Sequence, residues 1–193
     1  RSSRPQIIAL TATATPKSRQ QIKTDLGMKQ DTATFVNSIR RKNLEIQIKL
    51  IKANKKAAMS ESDVMLRAVE DILRQWDQKG SAIIYGTTVE QVNTAKKFLK
   101  GRGFDLKKVT GKMKCKKRRK NQDAFMHGRV SIMVATNAFG LGVDKPDVRL
   151  VIHMGLPLTL EGYVQEIGRA GRDGKKSTRV LLYTQSDYKR NKR

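Results

Sequence analysis

The chain has 193 residues, with 41 Lys or Arg against 17 Asp or Glu and a formal net charge of +24. That length holds one full domain with a real core, or one plus a fragment of another. The charge exceeds what solubility needs and points to a polyanionic partner, nucleic acid first. A lone cysteine, Cys115, excludes an internal disulfide and cannot build a zinc site, and no apolar run reaches membrane length or resembles a secretory signal.

In chain order, residues 6–15 read as a buried strand delivering small hydroxyl residues to its carboxyl end, and Pro16 opens a helix. The abrupt start at Arg1 reads as that of a piece excised from something longer. Leu44, Ile46, Ile48 and Leu50 alternate with Glu45, Gln47 and Lys49, which predicts a strand with one buried and one wet face. Ser60-Glu61-Ser62-Asp63 is a capping pattern, and Met65, Val69, Ile72, Leu73 and Trp76 follow the helical period after it. Ala82–Tyr85 is a short apolar strand, followed by Gly86-Thr87-Thr88 and a helix with Val92, Ala95 and Leu99 on one side.

Leu106–Thr110 is the next strand. Lys107 to Lys120 then carries nine positive residues and no acidic one. This run fits a phosphate-tracking patch on the rim of a strand-binding groove, a nuclear-localisation-like cluster, or a solvated helix start; the first two are compatible. Cys115 inside it reads as a bystander thiol. Ile132–Thr136 and Val148–His153 are further strands, and His153 reads as a satisfied structural histidine. Thr159 caps a helix through Tyr163 and Val164, Val180–Tyr183 is the last strand, and the tail to Arg193 reads as polar and frayed.

Two stretches carry chemistry. Thr136 to Asp144 places a hydroxyl, Gly140-Leu141-Gly142 and a carboxylate after a strand, which predicts backbone donors and an acceptor at the carboxyl edge of a parallel sheet, where open α/β sheets bind ligands. Gln165 to Gly174 sets Arg169 and Arg172 three apart among glycines; each guanidinium is a planar fork of donors suited to phosphate oxygens.

Gln165-x-x-Gly168-Arg169-x-Gly171-Arg172 resembles the sixth motif of superfamily-two helicases, and the Gln165-Glu166 opening resembles RecQ-type DNA helicases. Asn137 to Arg149 is similar to the fifth motif, Gly86 to Val89 stands at the fourth, and Thr11-Ala12-Thr13 resembles the third. The resemblance implies an α/β fold: a RecA-like parallel β-sheet with helices on both faces, the second lobe of a P-loop NTPase-like helicase. It implies the end of a first lobe over 1–35, the second lobe over 36–186 and a basic tail over 187–193. It also implies ATP-driven 3′-to-5′ unwinding of DNA, with ATP and magnesium held mainly by the first lobe, which is absent here.

By the resemblance Arg172 is the arginine finger, and Arg169 and Gln165 belong to the catalytic set. Gly142 and Asp144 face the nucleotide together with both arginines. Thr87, Thr88, Gly111, Lys112, Thr136 and Asn137 contact DNA, and Thr11 and Thr13 couple ATP state to DNA contact. Lys108-Val109-Thr110-Gly111 stands where relatives read Tyr-His-Ala-Gly, so Lys112 or Lys114 takes the histidine's place. The implied partners are single-stranded DNA, duplex junctions and the first lobe; the implied roles are repair and recombination, in a nucleus if the source is eukaryotic and in cytoplasm otherwise. A DEAD-type RNA remodeller and a non-hydrolysing nucleic-acid-binding module are the two other readings that stay open.

Overall fold

The computed structural model describes residues 5–11, 14–36, 41–53, 56–139 and 143–191. The chain divides into two compact units, Arg1–Arg41 and Lys42–Arg193. In the first, Pro16–Asp25 forms α1, with the Thr15 hydroxyl accepting from the Ser18 N–H at 3.1 Å. The strand expected over 6–15 does not form among the described residues: Gln6 to Thr11 has no regular secondary structure, Ile8 and Leu10 are exposed, and residues 12 and 13 lie outside the described residues. A strand needs a partner for its backbone groups, and no other strand lies in this unit among the described residues.

The second unit is a six-stranded, all-parallel sheet in the order β1-β6-β5-β2-β4-β3. The strands are β1 (Leu44–Ile51), β2 (Ser81–Gly86), β3 (Leu106–Val109), β4 (Ile132–Ala135), β5 (Val148–Met154) and β6 (Ser177–Thr184). The helices are α2 (Glu61–Gln75), α3 (Val89–Gly101), α4 (Cys115–Met126), α5 (Leu160–Ile167) and α6 (Gln185–Asn191). The central strands are apolar on both sides because both faces are covered, as in parallel sheets generally. Ala82, Ile84, Val134 and Ile152 face a core closed by Leu73 of α2 and Leu99 of α3. Ile83, Tyr85, Met133 and Val151 face a second core closed by Phe125 of α4, Phe139 and Ala170.

Two expectations are corrected here. The apolar face of β1 is not buried: Ile46, Ile48 and Leu50 are 53%, 63% and 40% exposed. β1 is an outermost strand, so alternation is present without a covering element. The tail is helical from Gln185 to Asn191 where an irregular one was expected, and residues 192 and 193 lie outside the described residues. Asp187 Oδ2 accepts from the Thr184 N–H and hydroxyl, both at 2.9 Å, and so starts α6.

Candidate functional site: two ends of one parallel sheet

All strands run the same way, so the loops that follow them gather at one edge. After β2, Thr88 is the N-cap of α3, its hydroxyl accepting from the Gln91 N–H at 3.1 Å and keeping its own proton to donate. Thr87 is exposed and donates its N–H to Gln91 Oε1 at 2.8 Å. After β3 come Gly111 and Lys112, both exposed. A side chain at Gly111 would meet only Ala138 Cβ at 3.7 Å, so no crowding demands glycine there. After β4, Thr136 is buried, its N–H bonded to the Val109 carbonyl at 3.2 Å, while Asn137 projects into solvent. Tyr85, Thr87, Asn137, His153, Thr159 and Glu166 line a small cavity of about 90 Å³ there. The edge therefore offers hydroxyls, an amide and an ammonium group side by side.

Asp144 and Arg172 are placed differently from Arg169, whose guanidinium lies against the Tyr85 phenol that lines this cavity. After Val143 the chain returns to the start of β5, and the Gly171 N–H donates to the carbonyl of Val148, the first residue of that strand, at 2.8 Å. Arg172 pairs with Asp144 just beyond it. β5 spans seven residues, so the two ends of that strand stand roughly 20 Å apart at the usual rise per residue. The expected acceptor, Asp144, pairs with Arg172, next to the loop that is bonded to the first residue of β5.

The two arginines differ physically. The Arg172 side chain is 37% exposed and its partner Asp144 80% exposed. Arg169 is buried, its Nη1 donating to the Val143 carbonyl at 3.2 Å and its Nε lacking a partner among the described residues. Burial pushes the Tyr85 phenol up, with Glu166 adding to the rise and Arg169 and Arg172 opposing it. Tyr85 therefore stays protonated and donates to the Phe139 carbonyl at 3.2 Å. His153 stacks on Tyr85 with centroids 5.1 Å apart, and its Nε2 lies 2.9 Å from Glu166 Oε2. Its Nδ1 has no partner among the described residues, so the histidine is half satisfied.

The arginine loop is pinned from outside its motif. Asn43 donates to the carbonyls of Gly171 and Lys175, each at 2.9 Å, and Arg149 pairs with Asp173. Gly171 has φ +55°, and a Cβ there would lie 2.6 Å from the Asn43 side chain and 2.7 Å from the Lys175 carbonyl. Gly174 also has positive φ, at +80°, whereas Gly168 has φ −64° and turns within the helical range. Gln165 is exposed on the last turn of α5 and makes no side-chain hydrogen bond among the described residues. Gly142 and Thr13 fall outside the described residues, and Thr11 is exposed in the first unit. Sequence reasoning does not assign Asn43 or Asp173 a role: Asp173 lies inside the arginine stretch, but its partner Arg149 and the Asn43 contacts come from distant parts of the chain.

A six-stranded, all-parallel sheet with helices packed on both faces defines the fold class. The chain belongs to the helicase conserved C-terminal domain family, whose pattern matches residues 64–174. It is 34% identical over 192 residues to the probable ATP-dependent DNA helicase RecS of Bacillus subtilis (strain 168), covering 95% of this chain and 35% of RecS. It is 37% identical to the RecQ-like DNA helicase blm-1 of Caenorhabditis elegans, over 94% of this chain and 17% of blm-1. The relatives are RecQ-type, and the chain spans about a third or less of their length. The fold matches that of S. cerevisiae Dbp5 bound to RNA and ADP BeF3, with TM-score 0.74 and 21% identity, covering 93% of this chain and 45% of Dbp5. The architecture is that of a RecA-like helicase lobe.

Proposed function

We propose that residues 42–193 are the second motor lobe of a RecQ-type, ATP-dependent, 3′-to-5′ DNA helicase and that residues 1–41 belong to the end of its first lobe. The carboxyl edge grips one DNA strand through Thr87, Thr88, Gly111, Lys112, Thr136 and Asn137. The amino end faces nucleotide held, with magnesium, mainly by the first lobe. Bound ATP supplies the phosphoryl group whose transfer to water drives the cycle. Gln165 and Asp144 complete the nucleotide face, and Gly142, Thr11 and Thr13 keep the roles the family resemblance implies.

The observation that carries this reading is the contrast between the arginines. The Arg172–Asp144 pair is solvent-exposed, hence weak, on the order of 0–1 kcal/mol, and Arg172 can exchange Asp144 for phosphate oxygens at little cost. Arg169 is fixed in the protein by the Val143 carbonyl, so it braces the loop instead of reaching out. A preorganised guanidinium acts most strongly on charge that builds as the bond breaks. In the complete helicase, Arg172→Ala should leave ATP affinity within a few-fold but lower DNA-stimulated turnover by on the order of 10³ or more. Arg172→Lys should rescue little, since an ammonium lacks the planar fork. Near wild-type turnover in Arg172→Ala, or a defect abolished by saturating ATP, would refute the assignment.

A further inference from the structure

β3 hydrogen-bonds only to β4, so its other side is an open sheet edge. Leu106 and Val109 fall in opposite cores, and alternation therefore puts Lys108 on the face packed by α3 and Lys107 on the face packed by α4. Lys108 Nζ donates to Asn93 of α3, and Asn121 of α4 donates to the Lys108 carbonyl at 2.8 Å. The two helices thus meet the edge from either side, α3 carrying Lys96, Lys97 and Lys100 and α4 carrying Lys116, Lys117 and Lys120. Partial burial lowers the pKa of Lys96, and the charges of Lys108, Lys100, Lys117 and Lys107 lower it further. Charges from three elements therefore crowd one place. Among the described residues none of these lysines has an ion-pair partner, although Glu90, Asp105 and Asp123 lie on or beside the same elements.

A lysine or two suffices to protect an edge strand from pairing with another chain. A larger uncompensated cluster destabilises the fold by self-repulsion, and a polyanion relieves it. Single-strand binders add aromatic platforms on which bases stack, but the rings near this edge are covered: Phe98 lies under Arg102 at 4.3 Å and Phe104 under Arg74 at 5.3 Å. The surface has charge without stacking faces, which suits a duplex whose bases are already stacked.

We propose that the β3 edge is a second nucleic-acid surface, with Lys96, Lys100, Lys107, Lys108 and Lys117 holding the phosphate backbone of duplex DNA beside the single-strand grip. This rests on the DNA-binding reading above. The test uses the 193-residue chain, a short blunt duplex and an oligothymidine of matched length. The variant Lys96→Glu/Lys108→Glu/Lys117→Glu is compared with a charge-matched control on the opposite side of the sheet, Lys49→Glu/Lys52→Glu/Arg67→Glu. Thermal unfolding checks that both remain folded.

The edge variant should bind the duplex at least about tenfold more weakly than the control does, and its slope of log affinity against log salt should flatten by about 0.9 for each phosphate that it no longer neutralises. Oligothymidine binding should match that of the control. Equal losses for edge variant and control mean that net charge alone acts, and equal losses of duplex and oligothymidine mean that the lysines belong to the single-strand path; either result overturns the proposal. If the wild-type chain binds neither probe, the DNA-binding reading itself falls, and the proposal with it.

Discussion

At the scale of the residue, Arg169 and Arg172 show how three positions of sequence separate two kinds of work. Arg169 is buried beside the core that holds Tyr85, Val143 and Ala170, and it supplies a donor to the Val143 carbonyl. Removing it leaves that buried acceptor unpaired, a cost of about 1–3 kcal/mol. Arg172 pairs with an exposed carboxylate, where the cost of loss is on the order of 0–1 kcal/mol. Thermal unfolding of the isolated chain, followed by circular dichroism, should therefore show a clear drop in Tm for Arg169→Ala and little change for Arg172→Ala. Equal drops would remove the distinction between brace and finger.

At the scale of the element, the arginine loop is held by α5, β5 and the segment before β1, and the Arg149–Asp173 pair ties it to β5. The hydrogen bond from Arg149 holds the Asp173 carboxyl below its ordinary value of 3.8, with the Lys175 N–H and nearby positive charge assisting. A depressed carboxyl contributes stability that is complete above its unfolded pKa and lost as pH falls through the folded one. Asp173→Asn should therefore lower Tm at neutral pH, and the gap between variant and wild type should close below pH 3.8, measured by thermal scans across that range. A gap that persists in acid would mean that the pair contributes no pH-linked stability.

The same scale shows what the sequence could reveal. The capping pattern at Ser60 is present in the structure: Ser60 accepts from the Asp63 N–H at 3.1 Å, and Asp63 accepts from the Ser60 N–H at 3.1 Å. Such local devices need no knowledge of neighbours. Covering does. The alternation of Ile46, Ile48 and Leu50 specifies which side chains share a face, but not whether anything packs on it, and β1 lies outermost. Likewise Asn43 is separated by 128 residues from the Gly171 carbonyl it caps, a pairing that no local pattern announces.

For the whole molecule, the motifs were legible because each is contiguous, while their arrangement was not, because it depends on strand order. With β5 and β2 adjacent and β4 beyond, β4 and β5 are not neighbours, and Asp144 meets Arg172 beside the loop bonded to the start of β5. Exposed polar donors thus follow the strands, and Arg172 lies beside the start of β5. No Gly-x-x-x-x-Gly-Lys-Ser/Thr loop occurs in the chain to cradle phosphates, and no Asp-Glu pair in it matches the magnesium-holding motif of such motors. An arginine that stabilises a transition state is without effect where no phosphate is held in line for attack. The purified chain should therefore hydrolyse ATP no faster than buffer, with or without single-stranded DNA, in a phosphate-release assay. Adding a first-lobe fragment that carries those motifs should restore DNA-stimulated turnover, and restoration should fail with Arg172→Ala. Turnover by the chain alone that is stimulated by DNA and lost in Arg172→Ala would show that the nucleotide site is complete here and that the division of labour between lobes is wrong.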